Sequence, residues 1–187
     1  MGLQKANANL HAEASRFTAG QKAAAATAAA IAAAVAIASP LAEKWEGFRG
    51  KAYLDPAQIL TQCYGETVDV DPSRIYSQTE CAAKLRARMA KDYAPPILKC
   101  IPSLIEPENK HAFGALLDAS YNAGPVAVCN SRMAKAFNAG NYKGGCDGFE
   151  GWYTSARNRK TGVRTYYKGL INRRLDEKAT CLKGLPA

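Results

Sequence analysis

Two carboxylates and a hydroxyl in the first third of the chain are spaced for acid–base chemistry. Glu46 lies at the predicted end of a short helix, Asp55 follows at the start of a turn, and Thr61 lies on the strand after that turn. Hydrolysis of a glycosidic bond needs two such carboxyls, one protonated to donate to the leaving oxygen and one ionised. An aromatic neighbour such as Trp45 would favour the protonated form of Glu46 by shielding it from water. Taken singly, the three residues equally fit a surface glutamate, a turn aspartate and a strand threonine.

A short helix followed by a hairpin is expected to position these side chains. Ser39 followed by Pro40 is typical of a helix start, with a hydroxyl cap and a proline at the first helical position. Two short strands are predicted at 52–55 and 59–64, and the Asp-Pro pair between them suits a type I turn. Glu46 and Asp55 can then face each other across a cleft.

The remainder of the chain is predicted to be mainly helical. Ser77 and Glu80 form a capping box that opens one helix, and Pro95-Pro96 is expected to end it. Pro107 starts a second helix, a short helix follows Asn130, and a last helix lies near the C-terminus. The expected fold class is α+β, with a small β-hairpin lobe and a larger helical lobe.

The charge of the chain is positive and uneven. The 187 residues include 25 Lys or Arg against 16 Asp or Glu, a formal net charge of +9, and residues 111–187 carry +7 of it. Such a basic lobe suits a polyanion or simply a solvated surface. No nucleic-acid-binding motif accompanies it, so nucleic acid is not an expected partner. The composition excludes intrinsic disorder, collagen-like repeats and a polytopic membrane protein.

Six scattered cysteines indicate the compartment. No C-x-x-C motif occurs and His11 and His111 stand alone, so we expect no metal site. An even number of separated cysteines is typical of disulfides formed in an oxidising compartment, although buried free thiols are the alternative. Sequence alone cannot choose among the possible pairings. We adopt the sequential pairing as a working expectation: Cys63–Cys81, Cys100–Cys129 and Cys146–Cys181.

An alanine-rich block near the N-terminus is the main apolar feature. Residues 23–38 are 16 uncharged residues, 12 of them Ala, with no Leu or Phe. As a helix they would span about 24 Å, against about 30 Å of bilayer hydrocarbon. The block could be a soluble helix, a signal peptide cleaved after Ala36-Ile37-Ala38, or a weak membrane anchor whose basic N-terminal arm stays cytoplasmic. We favour the anchor, because disulfides downstream indicate export.

Several linked motifs make the chain similar to the phage-type lysozymes. That family carries Glu-Gly near its start, an Asp nine residues after the Glu and a Thr six beyond the Asp, which is the spacing of Glu46-Gly47, Asp55 and Thr61. The resemblance covers residues 41–187. Further landmarks in the same order are Cys63-Tyr64-Gly65, Tyr121-Asn122-Ala123-Gly124, and Arg173-Arg174 followed by Glu177.

The resemblance implies a lysozyme-like fold and a role for each site residue. Glu46 would be the general acid, Asp55 would position or activate water and stabilise the transition state, and Thr61 would orient that water. The substrate would be peptidoglycan, cut between N-acetylmuramic acid and N-acetylglucosamine, without a cofactor. Tyr64 and Asn122 are weaker candidates for lining the cleft.

Two departures from the family pattern affect the same region. The family usually has Gly three residues after the Asp, where this chain has Gln58. Where the family often has His after the second Gly, this chain has Glu66, a third carboxylate near the cleft. The hairpin turn and the electrostatics of the site are therefore expected to differ.

The alanine-rich block also gains a meaning from the resemblance, since some endolysins of the family begin with a signal-arrest-release segment. We expect a cytoplasmic arm at 1–18, a weak membrane segment at 19–39 and a lysozyme domain at 40–187. The host secretion machinery would export a monomer, held inactive at the inner membrane through residues 19–39 and later released into the periplasm. Residues 1–62 contain no Cys, so activation by refolding is expected. The alternative is a non-catalytic wall-binding module of the same fold that uses its basic lobe.

Overall fold

The computed structural model describes residues 18–55, 58–157 and 161–185, and the side chains of 156–157 are not described. It consists mainly of helices with two small antiparallel sheets, as the predicted α+β class requires. In chain order the elements are α1 (Ala19–Glu46), β1 (Arg49–Leu54), β2 (Leu60–Cys63), α2 (Gln78–Arg88), a π-helical turn (Met89–Tyr93), α3 (Ala94–Cys100), 3₁₀ turns (Pro102–Ile105 and Pro107–Asn109), α4 (Lys110–Ala123), α5 (Pro125–Cys129), α6 (Arg132–Asn138), α7 (Tyr142–Asp147), β3 (Ser155–Arg157), β4 (Arg164–Tyr166) and α8 (Lys168–Leu182).

The alanine-rich block and the helix that ends at Glu46 are one helix of 28 residues. The predicted helix start at Ser39–Pro40 is therefore wrong. Proline removes one backbone donor and crowds the preceding turn, but alanine-rich helix on its N-terminal side has high intrinsic propensity. The Ser39 hydroxyl also donates to the Val35 carbonyl at 2.6 Å. Thr18 caps the helix at its start, and Gly47, with a φ of 72°, ends it.

The second half of α1 packs closely against α4. Ala34, Ala38 and Ala42 are fully buried on one face of α1, since residues four apart lie on the same side of a helix. On α4, Gly114 lets the two helices approach. A Cβ placed on Gly114 would lie 2.5 Å from Ile37 Cγ2. The first half of α1, by contrast, is largely exposed.

The core of the helical lobe surrounds α4, in which Phe113, Leu116 and Leu117 are fully buried. The face of α8 that packs against α4 carries charged side chains. The buried residues of α8 include Arg173, Arg174 and Glu177, whereas its Ile171 and Leu175 are 39% and 45% exposed. Charged groups so deeply buried must be paired.

Two predicted boundaries in the helical lobe are also wrong. The chain remains helical through Pro95 and Pro96, because they fall in the first turn of α3, where proline does not remove a needed donor. The short helix after residue 130 is capped by Ser131 rather than Asn130, and the Ser131 hydroxyl accepts from the Ala134 N–H at 3.2 Å. The β3–β4 hairpin was not predicted.

The first hairpin is braced by side-chain hydrogen bonds and joined to the helical lobe by a disulfide. Tyr53 pairs with Thr61 in the β1–β2 register. The Gln62 amide donates to the Gly50 carbonyl at 2.9 Å and to the Arg74 carbonyl at 2.8 Å. Three disulfides join β2 to α2, α3 to α5, and α7 to α8, which is the sequential pairing: Cys63–Cys81, Cys100–Cys129 and Cys146–Cys181.

Candidate active site

Glu46, the last residue of α1, has one carboxylate oxygen hydrogen-bonded and the other next to Gly65. The Arg173 guanidinium donates from Nη1 to Glu46 Oε1 at 2.6 Å. Oε2 faces the backbone of Gly65, where an added Cβ would lie 3.3 Å from it. Gly65 also has a φ of 80°, which side-chain-bearing residues rarely adopt. The Glu46 side chain is 24% exposed, so it is partly shielded yet accessible.

Arg173 is itself fixed by a buried aspartate. Its Nη2 and Nε lie 2.7 Å and 3.1 Å from the two carboxylate oxygens of Asp118, a bidentate arrangement. Burial alone would lower the pKa of Arg173, but the carboxylates of Asp118 and Glu46 outweigh it and raise that pKa above its ordinary value. The guanidinium is therefore a permanent cation beside Glu46.

A second buried pair places Asn122 on the wall of the site. Arg174 Nη2 lies 2.8 Å from Glu177 Oε1 and donates to Asn122 Oδ1 at 3.0 Å. Glu177 is fully buried, and this burial raises its pKa well above the ordinary value. Asn122, the last residue but one of α4, is thus oriented by a contact from α8.

Glu46 lies where two cavities meet. The larger has a volume of about 540 Å³ and the smaller, mainly polar, about 180 Å³. Glu46 and Asn122 line both, so a linear polymer crossing from one to the other would pass the carboxylate. The larger cavity is also lined by Trp45, Tyr167, Lys168, Gly169, Leu170 and Arg173. The smaller is also lined by Gly65, Glu66, Thr67, Arg88, Tyr93 and Tyr121. An apolar hollow of about 490 Å³ beside α1 contains none of these residues.

Asp55 and Thr61 lie on the hairpin and are both bound to the peptide groups of Ile59. Asp55 Oδ1 accepts from the Ile59 N–H at 2.8 Å, and the Thr61 hydroxyl donates to the Ile59 carbonyl at 3.0 Å. Gln58 has a φ of 64°, so this position keeps a glycine-like backbone conformation although it holds glutamine. The Pro56 part of the predicted type I turn lies outside the described residues. Neither Asp55 nor Thr61 is among the residues that line the two cavities.

The side chain of Tyr64 is buried, whereas that of Glu66 lies at the smaller cavity. Tyr64 is 2% exposed and lines neither cavity, so its side chain supports the cleft from behind. Glu66 does line the smaller cavity, as a third carboxylate there. It accepts from the N–H groups of Thr67 and Val68, both at 3.1 Å, and pairs with Arg88 at 3.3 Å.

The residues that sequence reasoning missed are mostly partners from distant elements. The role of Arg173 as partner of Glu46 depends on α1 meeting α8, which no spacing reveals. Asp118 did carry a signal, being a lone acid in an otherwise apolar and small-residue stretch of α4. In the parts of the chain that the structure describes, no group of three or more His, Cys, Asp or Glu side chains is arranged to hold a metal ion.

Known proteins resemble this chain in sequence and in fold. A sequence model of the family described as phage lysozyme matches residues 43–177. The "SAR-endolysin" of Bacteriophage PS119 is 34% identical over 143 residues, covering 74% of this chain and 77% of that protein. The "SAR-endolysin" of Bacteriophage PS34 is 33% identical over the same length and coverage. The solved endolysin from Escherichia coli O157:H7 phage FAHEc1 superposes with a TM-score of 0.68 and 26% identity, covering 81% of this chain and 94% of that one.

Proposed function

The chain belongs to the phage lysozyme family and is a lysozyme-type glycosidase, and on that premise we propose that it is an endolysin that lyses the host cell. It hydrolyses the β-1,4 bond between N-acetylmuramic acid and N-acetylglucosamine in peptidoglycan. The observation that carries this proposal is the position of Glu46, at the junction of two cavities and hydrogen-bonded to a buried, permanently charged Arg173.

In this mechanism Glu46 is the general acid. Because Arg173 donates a hydrogen bond to Oε1 of Glu46, the proton is delivered to the glycosidic oxygen from Oε2, the oxygen on the side of Gly65. Arg173 is a positioning residue, since its bidentate contact with Asp118 fixes the guanidinium and, through it, the carboxylate. This placement accelerates the reaction by orienting the general acid toward the glycosidic oxygen, in addition to the proton transfer itself.

Asp55 and Thr61 act on the water and on the developing charge. Asp55 stabilises the oxocarbenium-like transition state and positions or activates water, and Thr61 orients that water. Their shared attachment to Ile59 supports this, because one peptide segment fixes both side chains relative to each other. Asn122 lines the cleft together with Glu46, whereas Tyr64 contributes by packing.

The N-terminal helix is proposed to hold the enzyme at the inner membrane before lysis. α1 is long and apolar enough to cross a bilayer. We assign residues 1–18 to the cytoplasmic arm, residues 19–39 to the membrane segment (the anchor segment below) and residues 40–187 to the lysozyme domain. The host secretion machinery exports the chain, and release delivers it to the periplasm.

The continuity of α1 supports activation by refolding. The anchor segment and Glu46 belong to one unbroken helix, and Ala34 and Ala38 of that segment are buried against α4 in the folded enzyme. The same residues cannot lie in lipid and in this interface at once. While the segment is in the membrane, Glu46 is therefore away from Arg173, and release completes the site.

The proposed function is tested by Glu46→Gln, with Glu43→Gln as the matched control one turn earlier on α1. Glu43 contacts Arg86 at 3.7 Å and lines neither cavity. Release of reducing ends from purified peptidoglycan sacculi is measured for both. We expect Glu46→Gln to lose at least about 100-fold in rate, because the general acid is gone, and Glu43→Gln to remain close to the parental rate.

Two outcomes would contradict the proposal in different ways. A Glu46→Gln protein with the parental rate would show that the acid is wrongly assigned. A parental protein that binds sacculi but releases no reducing ends would instead indicate the non-catalytic wall-binding module.

A further inference from the structure

The β3–β4 hairpin carries exposed side chains that the proposed mechanism does not use. All three residues of β4 are exposed, and Val163 and Tyr166 are 60% and 65% exposed. Tyr166 pairs with Ser155 across the ribbon. Large apolar or aromatic groups that cluster at the surface with polar groups around them are typical of interaction sites.

The charge around this hairpin has one sign. Residues 151–172 include five Lys or Arg and no Asp or Glu. Arg164 donates to the Ser155 hydroxyl at 2.8 Å, and Lys168 is exposed. Among the ion pairs of the described residues, none includes Arg164 or Lys168, whereas Lys178 nearby in sequence pairs with both Asp147 and Glu150. The hairpin therefore presents cationic groups that no carboxylate of the described residues pairs with.

The hairpin is continuous with the cleft. Tyr167 and Lys168, the two residues after β4, line the larger cavity together with Trp45 and Glu46. The Tyr167 N–H donates to the Thr154 carbonyl at 3.0 Å and closes the base of the hairpin. A polymer that leaves the larger cavity on this side would next meet Tyr166 and Arg164.

We propose that a surface formed by Tyr167 and Lys168 at the edge of the cleft and by Arg164 and Tyr166 beyond it binds the peptidoglycan strand. The tyrosine rings lie against the apolar faces of sugar rings, and Arg164 and Lys168 bind carboxylates of the stem peptides. The inference rests on the proposed function, since it extends the same substrate beyond Glu46. It assigns the hairpin a role in substrate affinity rather than in bond cleavage.

Continuity with the cleft favours peptidoglycan over an anionic membrane as the partner. A chain running through the two cavities is already aligned with the hairpin, so the added contacts act on a polymer that is held nearby. A glycan strand that carries stem peptides offers apolar sugar faces to the tyrosine rings and carboxylates to the Arg and Lys side chains. Binding to a phospholipid surface is an outcome that the experiment distinguishes.

The experiment compares Arg164→Glu and Tyr166→Ser with Lys135→Glu, a charge reversal of an exposed lysine on α6 that lines neither cavity. Initial rates of reducing-end release are measured against the concentration of intact sacculi and of glycan strands stripped of their peptides. We expect Arg164→Glu to raise the half-saturating concentration of intact sacculi roughly fivefold more than Lys135→Glu does, with kcat nearly unchanged. Added salt should narrow this difference.

The two substrates separate the two kinds of contact. On stripped strands the effect of Arg164→Glu should become smaller, because the stem-peptide carboxylates are gone and only the lactyl carboxylate of each N-acetylmuramic acid remains. Tyr166→Ser should instead raise the half-saturating concentration of both substrates. All variants are expected to keep the parental unfolding midpoint, since the changed side chains are exposed.

Three results would overturn the inference. One is equal behaviour of Arg164→Glu and Lys135→Glu on intact sacculi. The second is a lower kcat for the hairpin variants at an unchanged half-saturating concentration. The third is a loss of binding to phosphatidylglycerol vesicles by Arg164→Glu without any change on sacculi, which would make the hairpin a membrane surface. If the parental protein cleaves neither substrate, the proposed function fails instead.

Discussion

Tyr121 ties the helical lobe to the hairpin lobe at the edge of the cleft. Its hydroxyl donates to the Tyr64 carbonyl at 2.7 Å, and its ring packs against Tyr93 with the ring centroids 5.3 Å apart. Burial raises the pKa of the Tyr121 phenol, and the nearby carboxylates of Glu66 and Glu46 add to the effect. The phenol is therefore a neutral donor throughout the physiological pH range.

Replacing Tyr121 by Phe should lower the free energy of unfolding at pH 7 by about 1 kcal/mol, the usual net contribution of one hydrogen bond. The folded pKa is raised above the unfolded value of about 10, so this contribution is fully present below pH 10 and decreases as the pH rises further. The difference between parent and Tyr121→Phe should therefore shrink above pH 10. Urea unfolding at pH 7, 9 and 10.5 measures it, and a difference that stays constant over this range would contradict the assignment.

The site residues that could be found from the sequence are those whose chemistry depends on local spacing. Glu46, Asp55 and Thr61 lie within one short stretch, so their separations carry information about a helix end and a turn. The contact of Glu46 with Arg173 joins residues 127 positions apart. It is determined by how α1 and α8 pack, and no pattern in either segment specifies it.

The interface between α1 and α4 depends on small residues at the point of closest approach. A Cβ on Gly114 would lie 2.5 Å from Ile37 Cγ2 and 3.2 Å from the Ala34 carbonyl oxygen. The carbonyl belongs to the backbone and cannot move aside without shifting α1. Since α1 carries Glu46, the spacing of these helices also sets the position of the acid.

Gly114→Ala should destabilise the folded enzyme by about 1–3 kcal/mol through overpacking, although alanine has the better helix propensity by about 1 kcal/mol. Gly20→Ala is the matched control, because a Cβ there meets only Thr18 Oγ1, at 4.0 Å. Ile37→Ala removes Cγ2 but keeps Cβ, which would lie 2.6 Å from the added atom. The double variant should therefore lose somewhat less stability than the sum of its single variants, with part of the clash remaining. Chemical unfolding of the parent and these four variants tests this, and additive losses would show that the contact is not strained.

Helix ends and turns were predictable where a capping residue acts locally, as at Ser77 and Glu80. The continuity of α1 through Pro40 was not, since the outcome depends on the balance between one lost hydrogen bond and a long alanine-rich helix packed on α4. The buried charged face of α8 could not be predicted from hydropathy either. Its arginines are stabilised by carboxylates on α1, α4 and α8 itself.

In the proposed function the chain combines a membrane segment and an enzyme, and α1 belongs to both. In the folded enzyme the C-terminal part of the anchor segment is buried through residues such as Ala34 and Ala38, whereas Ala25, Ala28 and Ala32 are exposed. These three residues can therefore be changed to strengthen membrane insertion without disturbing the packing against α4. The basic lobe that was predicted from the charge distribution includes the β3–β4 hairpin beside the cleft.

The triple change Ala25→Leu, Ala28→Leu and Ala32→Leu should retain the enzyme in the membrane. Each leucine favours insertion by about 0.5 kcal/mol, so the release equilibrium should shift about tenfold. The measurement is the fraction of protein in the soluble periplasmic extract after the membrane potential is collapsed with an uncoupler. The purified triple variant should keep the parental rate on sacculi, which controls for folding. Equal release of parent and variant, or a parent that never pellets with membranes, would contradict the anchor.

The most direct test of muramidase activity is the chemistry of the fragments that the enzyme releases. Sacculi digested with the parental protein and with Glu46→Gln are reduced with borohydride and analysed by mass spectrometry. The account predicts fragments that end in reducible N-acetylmuramic acid with the parent and almost none with Glu46→Gln. Fragments that end in N-acetylglucosamine or in an anhydro sugar, or the same fragments at the same rate from Glu46→Gln, would contradict it.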